Sequence, residues 1–121
     1  MTRIPPLVTH TIRPNYVCSQ KDTSRFHYID PLPCGEVPEL TFARVRTELL
    51  QMPRTVILEA TDEYLHVLCR SLIFRFPDDL KCLLCEREGV IHVGSSSRYG
   101  FYDLGVNRRR VDKLRRRLQA S

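Results

Sequence analysis

The stretch with the most chemical capacity runs from Ser95 to Arg110, reading Ser-Ser-Ser-Arg-Tyr-Gly-Phe-Tyr-Asp-Leu-Gly-Val-Asn-Arg-Arg-Arg. Ser97, Arg98, Gly100, Asp103, Gly105, Asn107 and Arg110 form its candidate site. Asn107 and Arg110 are three apart and share one side of a helix. Asp103 is placed to cap that helix and to offer a second oxygen to Arg98 or Arg110 in a charge-assisted bond. Two readings stand side by side. The first is a polar clamp fixing the last strand to the last helix, since buried polar groups need such partners whatever the function. The second is an anion or carboxylate site. There Gly100 and Gly105 permit close backbone approach, a helix N-terminus offers N–H groups, and arginines bring charge.

Other reactive residue types fall into weaker patterns. Cys82-Leu83-Leu84-Cys85 has the spacing of half a zinc knuckle. In a strand, however, residues three apart point to opposite faces, and no second Cys pair or His pair stands at ligand spacing. No metal and no cofactor is expected. The redox reading of Cys-x-x-Cys needs a helix start after a strand, which the pattern does not supply. Asp78 and Asp79 read as turn residues between strands. His10, His27, His66 and His92 are scattered, and none adjoins a Ser or Cys in a nucleophile motif. Neither common Gly-rich nucleotide pattern occurs. No catalytic residue is assigned and no mechanism adds up, so the reading leans away from an enzyme.

The Ser97–Arg110 pattern closely resembles the signature of the domain-of-unknown-function 1499 family, Ser-Arg-x-Gly-x-x-Asp-x-Gly-x-Asn-x-x-Arg. Ser97, Arg98, Gly100, Asp103, Gly105, Asn107 and Arg110 match it. Pro14-Asn15 with Ser19, and Phe76-Pro77-Asp78-Asp79, agree in order, so the likeness spans nearly the whole chain. The resemblance implies little about function, because that family is uncharacterised. Tyr16 and Cys18 depart from its early Pro-Asn segment.

These residues need elements to position them. Residues 1–36 are proline-rich and aperiodic, an extended N-terminal arm before an α+β domain at 37–121. Phe42, Val45, Leu49 and Met52 recur at spacings of three and four, predicting a helix over Val37–Met52. Pro38 suits its first turn, Glu36 and Glu39 its dipole, and Pro53 its end. Strands are expected at Arg54–Ala60, Tyr64–Phe76, Leu80–Glu86 and Val90–Ser97, with Glu88-Gly89 as a turn. Short connections without intervening helices make the pairing antiparallel. Neither face of the long strand is cleanly polar, so either both faces are partly covered or one face meets a protein partner. A last helix over Leu104–Gln119 presents Leu104, Val111, Leu114 and Leu118, and Asn107 falls on that apolar stripe. The predicted architecture is α-β-β-β-β-α, a single four-stranded antiparallel sheet with an N-terminal and a C-terminal helix.

Charge is uneven along the chain. Of the net +5, residues 98–121 contribute +6, from seven arginines and one lysine against two aspartates. Arg108, Arg109, Lys113 and Arg116 form a candidate basic surface on the last helix. The sequence fits no RNA-recognition strand or helix-turn-helix pattern, so specific nucleic-acid binding is not expected, and weak sequence-blind association is the alternative. The odd number of cysteines and the absence of a signal-like start predict free thiols and a cytoplasmic protein. A Cys18–Cys34 bridge is conceivable. No apolar run approaches the roughly 20 residues of a membrane span. The expectation is a non-catalytic binding or accessory domain. Its alternatives are a small-anion binder or enzyme using Arg98, Asp103, Asn107 and Arg110, and nucleic-acid association through the basic helix.

Overall fold

A computed structural model of the chain describes residues 6–8, 15–70, 76–99 and 105–120. The elements are β1 Tyr16–Cys18, β2 Leu32–Pro33, α1 Pro38–Gln51, β3 Thr55–Ala60, β4 Tyr64–Arg70, β5 Pro77–Cys85, a 3-10 turn at Glu86–Glu88, β6 Val90–Ser97 and α2 Val106–Gln119. All strand pairs are antiparallel, in the order β1-β6-β5-β4-β3, with β2 also paired to β6.

The fold is α+β with two helices, as the patterning indicates, but the sheet has six strands rather than four. The two additions come from the proline-rich segment. Tyr16–Cys18 pairs with Ser96–Gly94, and Leu32–Pro33 pairs with Ile91–Val90, so both lie end to end along one edge of β6. Strands of three and two residues carry no readable period, and they exist because β6 offers its unpaired edge.

A second correction concerns β5. It begins at Pro77 rather than Leu80, which places Asp78 and Asp79 in the ladder opposite Cys69 and Leu68. Proline is tolerated as the first residue of a strand, so Pro77 opens the strand instead of marking a turn. Residues 71–75, expected to continue β4, lie outside the described residues.

Both helices cover one face of the sheet. Phe42, Val45, Leu49 and Met52 of the α1 stripe are buried, together with Val111 and Leu114 of α2. They pack on Leu65, Val67, Leu80, Cys82, Ile91 and Val93. Alternation along β5 buries Asp78, Leu80, Cys82 and Leu84 on this side and turns Asp79, Lys81, Leu83 and Cys85 to the other. The opposite face carries a smaller cluster of Leu7, Val8, Tyr16 and Cys18. Gly94 is required there, because a Cβ would stand 2.8 Å from Val8 Cγ2 and 2.9 Å from Leu7 Cβ. All five cysteines, Cys18 and Cys34 included, are unbridged. Among the described residues, no helix is long and apolar enough to cross a membrane.

Candidate functional site

Asn107 occupies the first turn of α2 and is fully buried on its apolar side. Its amide is satisfied on every lone pair and hydrogen. Ser95 Oγ donates to Asn107 Oδ1 at 2.6 Å, and Arg110 Nη1 donates to the same oxygen at 3.2 Å. Asn107 Nδ2 donates to the Asn15 carbonyl at 3.0 Å and to Ser97 Oγ at 2.9 Å. One side chain thereby ties α2 to β6 and to the segment entering β1. A side-chain amide has four such bonds to give, and here all four are made.

Beside this clamp, Arg110 Nη2 lies 2.9 Å from Asp78 Oδ2. The Asp78 carboxylate is buried, and its second oxygen, Oδ1, has no hydrogen-bond partner. Ser97, Asn107, Arg110 and Asp78 therefore form one polar group beneath α2. Arg98 is not part of it. Strand alternation sends Arg98 to the face away from the helices, where it grips Asp79 with both nitrogens, Nε–Oδ2 at 2.9 Å and Nη2–Oδ1 at 3.0 Å. His66 Nε2 is 2.7 Å from Asp79 Oδ1. Burial works against ionisation of Asp79, but the hydrogen bonds from Arg98 and His66 outweigh it and hold the carboxyl below its ordinary range.

α2 starts at Val106, two residues later than the expected start at Leu104. Gly105 takes the N-cap position with φ +78°, in the left-handed region. Among the described residues, the only atoms a Cβ there would approach belong to the flexible end of Arg109, so it is the backbone conformation that calls for glycine. Asp103 and Gly100 lie outside the described residues.

A cleft of about 280 Å³ opens beside this helix start. Its walls are the α1–β3 connection (Met52, Pro53, Arg54, Thr55), the end of β4 (Cys69, Arg70) and the first two turns of α2 (Val106, Arg109, Arg110, Lys113). Five of these ten residues are cationic, and among the described residues no carboxylate lines the cleft. Arg54 has φ +59°, the left-handed region that L-residues rarely adopt. It is locked there by Arg70, whose N–H donates to the Arg54 carbonyl at 3.0 Å while Arg54 Nε donates to the Arg70 carbonyl at 3.2 Å. At the cleft floor, Thr55 Oγ1 donates to Cys69 Sγ at 3.8 Å. Burial pushes the Cys69 thiol up, against the pull of Arg110, so the thiol stays protonated near neutrality.

The basic residues of α2 do not form one stripe. Arg109 and Lys113 line the cleft and Arg116 is exposed, whereas Arg108 turns aside toward the Phe26 carbonyl at 3.5 Å. Arg115 donates to the carbonyls of Asp30 and Pro31, and Arg117 Nε pairs with Glu48 Oε2 at 2.8 Å. Much of the charge that looks like a surface in the sequence thus fastens α2 to β2's approach and to α1.

Sequence reasoning missed Arg54, Thr55, Cys69, Arg70 and Asp78. Arg54 carried a faint signal, since it follows the helix-stopping Pro53. Asp78 could have been found only by starting β5 at Pro77.

No curated protein and no solved structure matches the chain. One family does, over residues 6–118, and it is described as a protein of unknown function, DUF1499. That match takes in the Asn15–Asn107 clamp, both helices and every strand, and so the chain belongs to the DUF1499 family.

Proposed function

We propose that this domain is a non-catalytic binding module for a small anion of the phosphate or carboxylate class, held in the cleft between α2 and the β3–β4 end of the sheet. The observation that carries this reading is the lining: Arg54, Arg70, Arg109, Arg110 and Lys113 converge on about 280 Å³ with no described carboxylate among them. Like charges held together raise one another's energy, and an anion between them relieves that repulsion. Guanidinium groups present paired N–H donors that match a carboxylate or phosphate edge, and the positive end of the α2 dipole lies at the cleft wall. Asp78 offsets one cation from below while leaving Arg110 directed along the cleft wall.

The clamp supports this reading by holding α2, and with it Arg109, Arg110 and Lys113, at a fixed distance from Arg54 and Arg70. A nucleic-acid surface fits less well, because Arg115 and Arg117 are held by intramolecular partners and Arg108 turns away from the cleft. Thermal melting in inorganic phosphate, sulfate, acetate and chloride at matched ionic strength tests the proposal. A saturable rise in Tm with phosphate or acetate, absent with chloride, is the expected result. Equal responses to all four salts would rule it out.

A further inference from the structure

On the face of the sheet opposite the helices, the β5–β6 hairpin gathers a thiol, a carboxylate and an imidazole. We propose that Cys85, Glu88 and His92 form a zinc site with three protein ligands and a fourth position open to water. Their ligand atoms all lie within 4.8 Å of one another. Cys85 Sγ is 3.3 Å from Glu88 Oε2, and His92 Nε2 is 3.2 Å from Glu88 Oε1.

The two separations are to different oxygens of Glu88, so the carboxylate lies between thiol and imidazole, and a small rotation brings one oxygen to bind an ion shared with both. With Zn–S about 2.3 Å and Zn–N or Zn–O about 2.0–2.1 Å, tetrahedral angles put S···O near 3.5 Å and N···O near 3.4 Å. The hairpin register explains the convergence. His92 stands directly opposite Leu83, and Cys85 is two residues beyond Leu83 on the same face. Glu88 reaches back from the 3-10 turn, which Gly89 closes in the left-handed conformation at φ +72°.

The imidazole is held in advance. Its side chain is 5% exposed, and its other nitrogen, Nδ1, lies 2.9 Å from Ser19 Oγ. Ser19 Oγ is itself fixed by accepting from the Val93 N–H at 2.8 Å. A ligand histidine whose second nitrogen is anchored is the usual support for a metal, because it sets ring orientation and tautomer. With Nδ1–H donating to Ser19 Oγ, the Nε2 lone pair is free for the ion, while the Cys85 thiol gives up its proton to solvent. Thiolate and imidazole together favour zinc over magnesium or calcium, which prefer oxygen ligands. The partly exposed Cys85 and exposed Glu88 leave the fourth position open to solvent.

Cys85 is the second cysteine of the Cys-x-x-Cys pair, but Cys82 is not a ligand, since it lies in the core on the other face. The expectation of no metal rested on ligand spacing along the chain, and this trio is assembled instead by a hairpin turn. The site is also separate from the cationic cleft, so it stands or falls independently of anion binding.

The test is competition for Zn²⁺ between the reduced full chain and a chromophoric chelator, with elemental analysis for stoichiometry. One zinc per chain is expected, and Cys85→Ser, Glu88→Gln and His92→Gln should each weaken it more than about tenfold. Cobalt loading should give a thiolate charge-transfer band that disappears in Cys85→Ser. Because Cys85 and Glu88 are not core residues, far-ultraviolet circular dichroism can confirm that those two variants fold, and they decide the matter whatever His92→Gln does. No stoichiometric binding by the parent chain would overturn the proposal. So would zinc binding that persists in folded Cys85→Ser and Glu88→Gln.

Discussion

Arg110 meets Asp78 at 2.9 Å under α2, where the aspartate leaves its second carboxylate oxygen buried without a partner. Two opposite charges so placed hold strand β5 to the helix. They also leave the cleft above with an excess of cations. Breaking a buried pair by removing one partner costs about 3–5 kcal/mol, because the remaining charge is stranded.

Replacing Asp78 should therefore act in opposite directions on stability and binding. Asp78→Asn is expected to lower the denaturation midpoint and to tighten phosphate or acetate binding, since Arg110 is released toward the cleft. Urea denaturation and anion titration on the same variant check both arms. A variant that loses stability and anion affinity together would separate Arg110 from the site.

Asn107→Leu places a side chain of comparable size on an apolar stripe, so a purely hydrophobic view expects stabilisation. The clamp predicts the reverse. Ser95, Ser97, Asn15 and Arg110 would each lose a partner, at about 1–3 kcal/mol for each group left buried and unsatisfied. Chemical denaturation should show a clearly lower midpoint. An unchanged or higher midpoint would contradict a satisfied amide at this position.

Asp79 makes the fold acid-sensitive in a definite sense. Its carboxyl is held below the ordinary value of 3.8, so it contributes stability that is present above about pH 4. That contribution is lost as pH falls through the lowered folded-state value. Asp79→Asn should reduce the urea midpoint at pH 7, and the gap from the parent chain should close as the carboxyl protonates in acid. A gap that stays constant with pH would mean that Arg98 and His66 do not stabilise the charge.

Nucleic acid should bind weakly, without sequence preference and with strong dependence on salt. Each phosphate contact steepens the dependence on salt by about 0.9 on duplex DNA. With Arg115 and Arg117 held internally, few contacts remain for a duplex. Titration of labelled oligonucleotides of two sequences at two salt concentrations measures this. Tight, sequence-selective binding at physiological salt would place nucleic acid ahead of small anions.

What could be read from the sequence followed the periodic elements. Phe42, Val45, Leu49 and Met52 announced α1, Val111 and Leu114 announced α2, and the anomaly at Asn107 pointed to a buried polar group that is present. Long-range pairing was less legible. Tyr16–Cys18 and Leu32–Pro33 are strands only because β6 has an open edge, and nothing local specifies them. Arg98 and Arg110 looked like partners in one motif, yet strand parity directs Arg98 to Asp79 and the helix directs Arg110 to Asp78. The cleft was least visible. Arg54 and Arg70 are far in sequence from α2, and the antiparallel β3–β4 pair brings them beside it.

Isothermal titration of the full chain with phosphate and with a small monocarboxylate, at low and at physiological salt, tests the anion reading most directly. The account predicts one saturable site per chain, weakened by Lys113→Gln and further by Arg109→Gln, with circular dichroism unchanged in both variants. At a hundredfold excess over Kd, the anion should stabilise the parent chain by about 2.7 kcal/mol. Absence of saturable heat for either anion, or binding left intact when both cations are replaced, would contradict it.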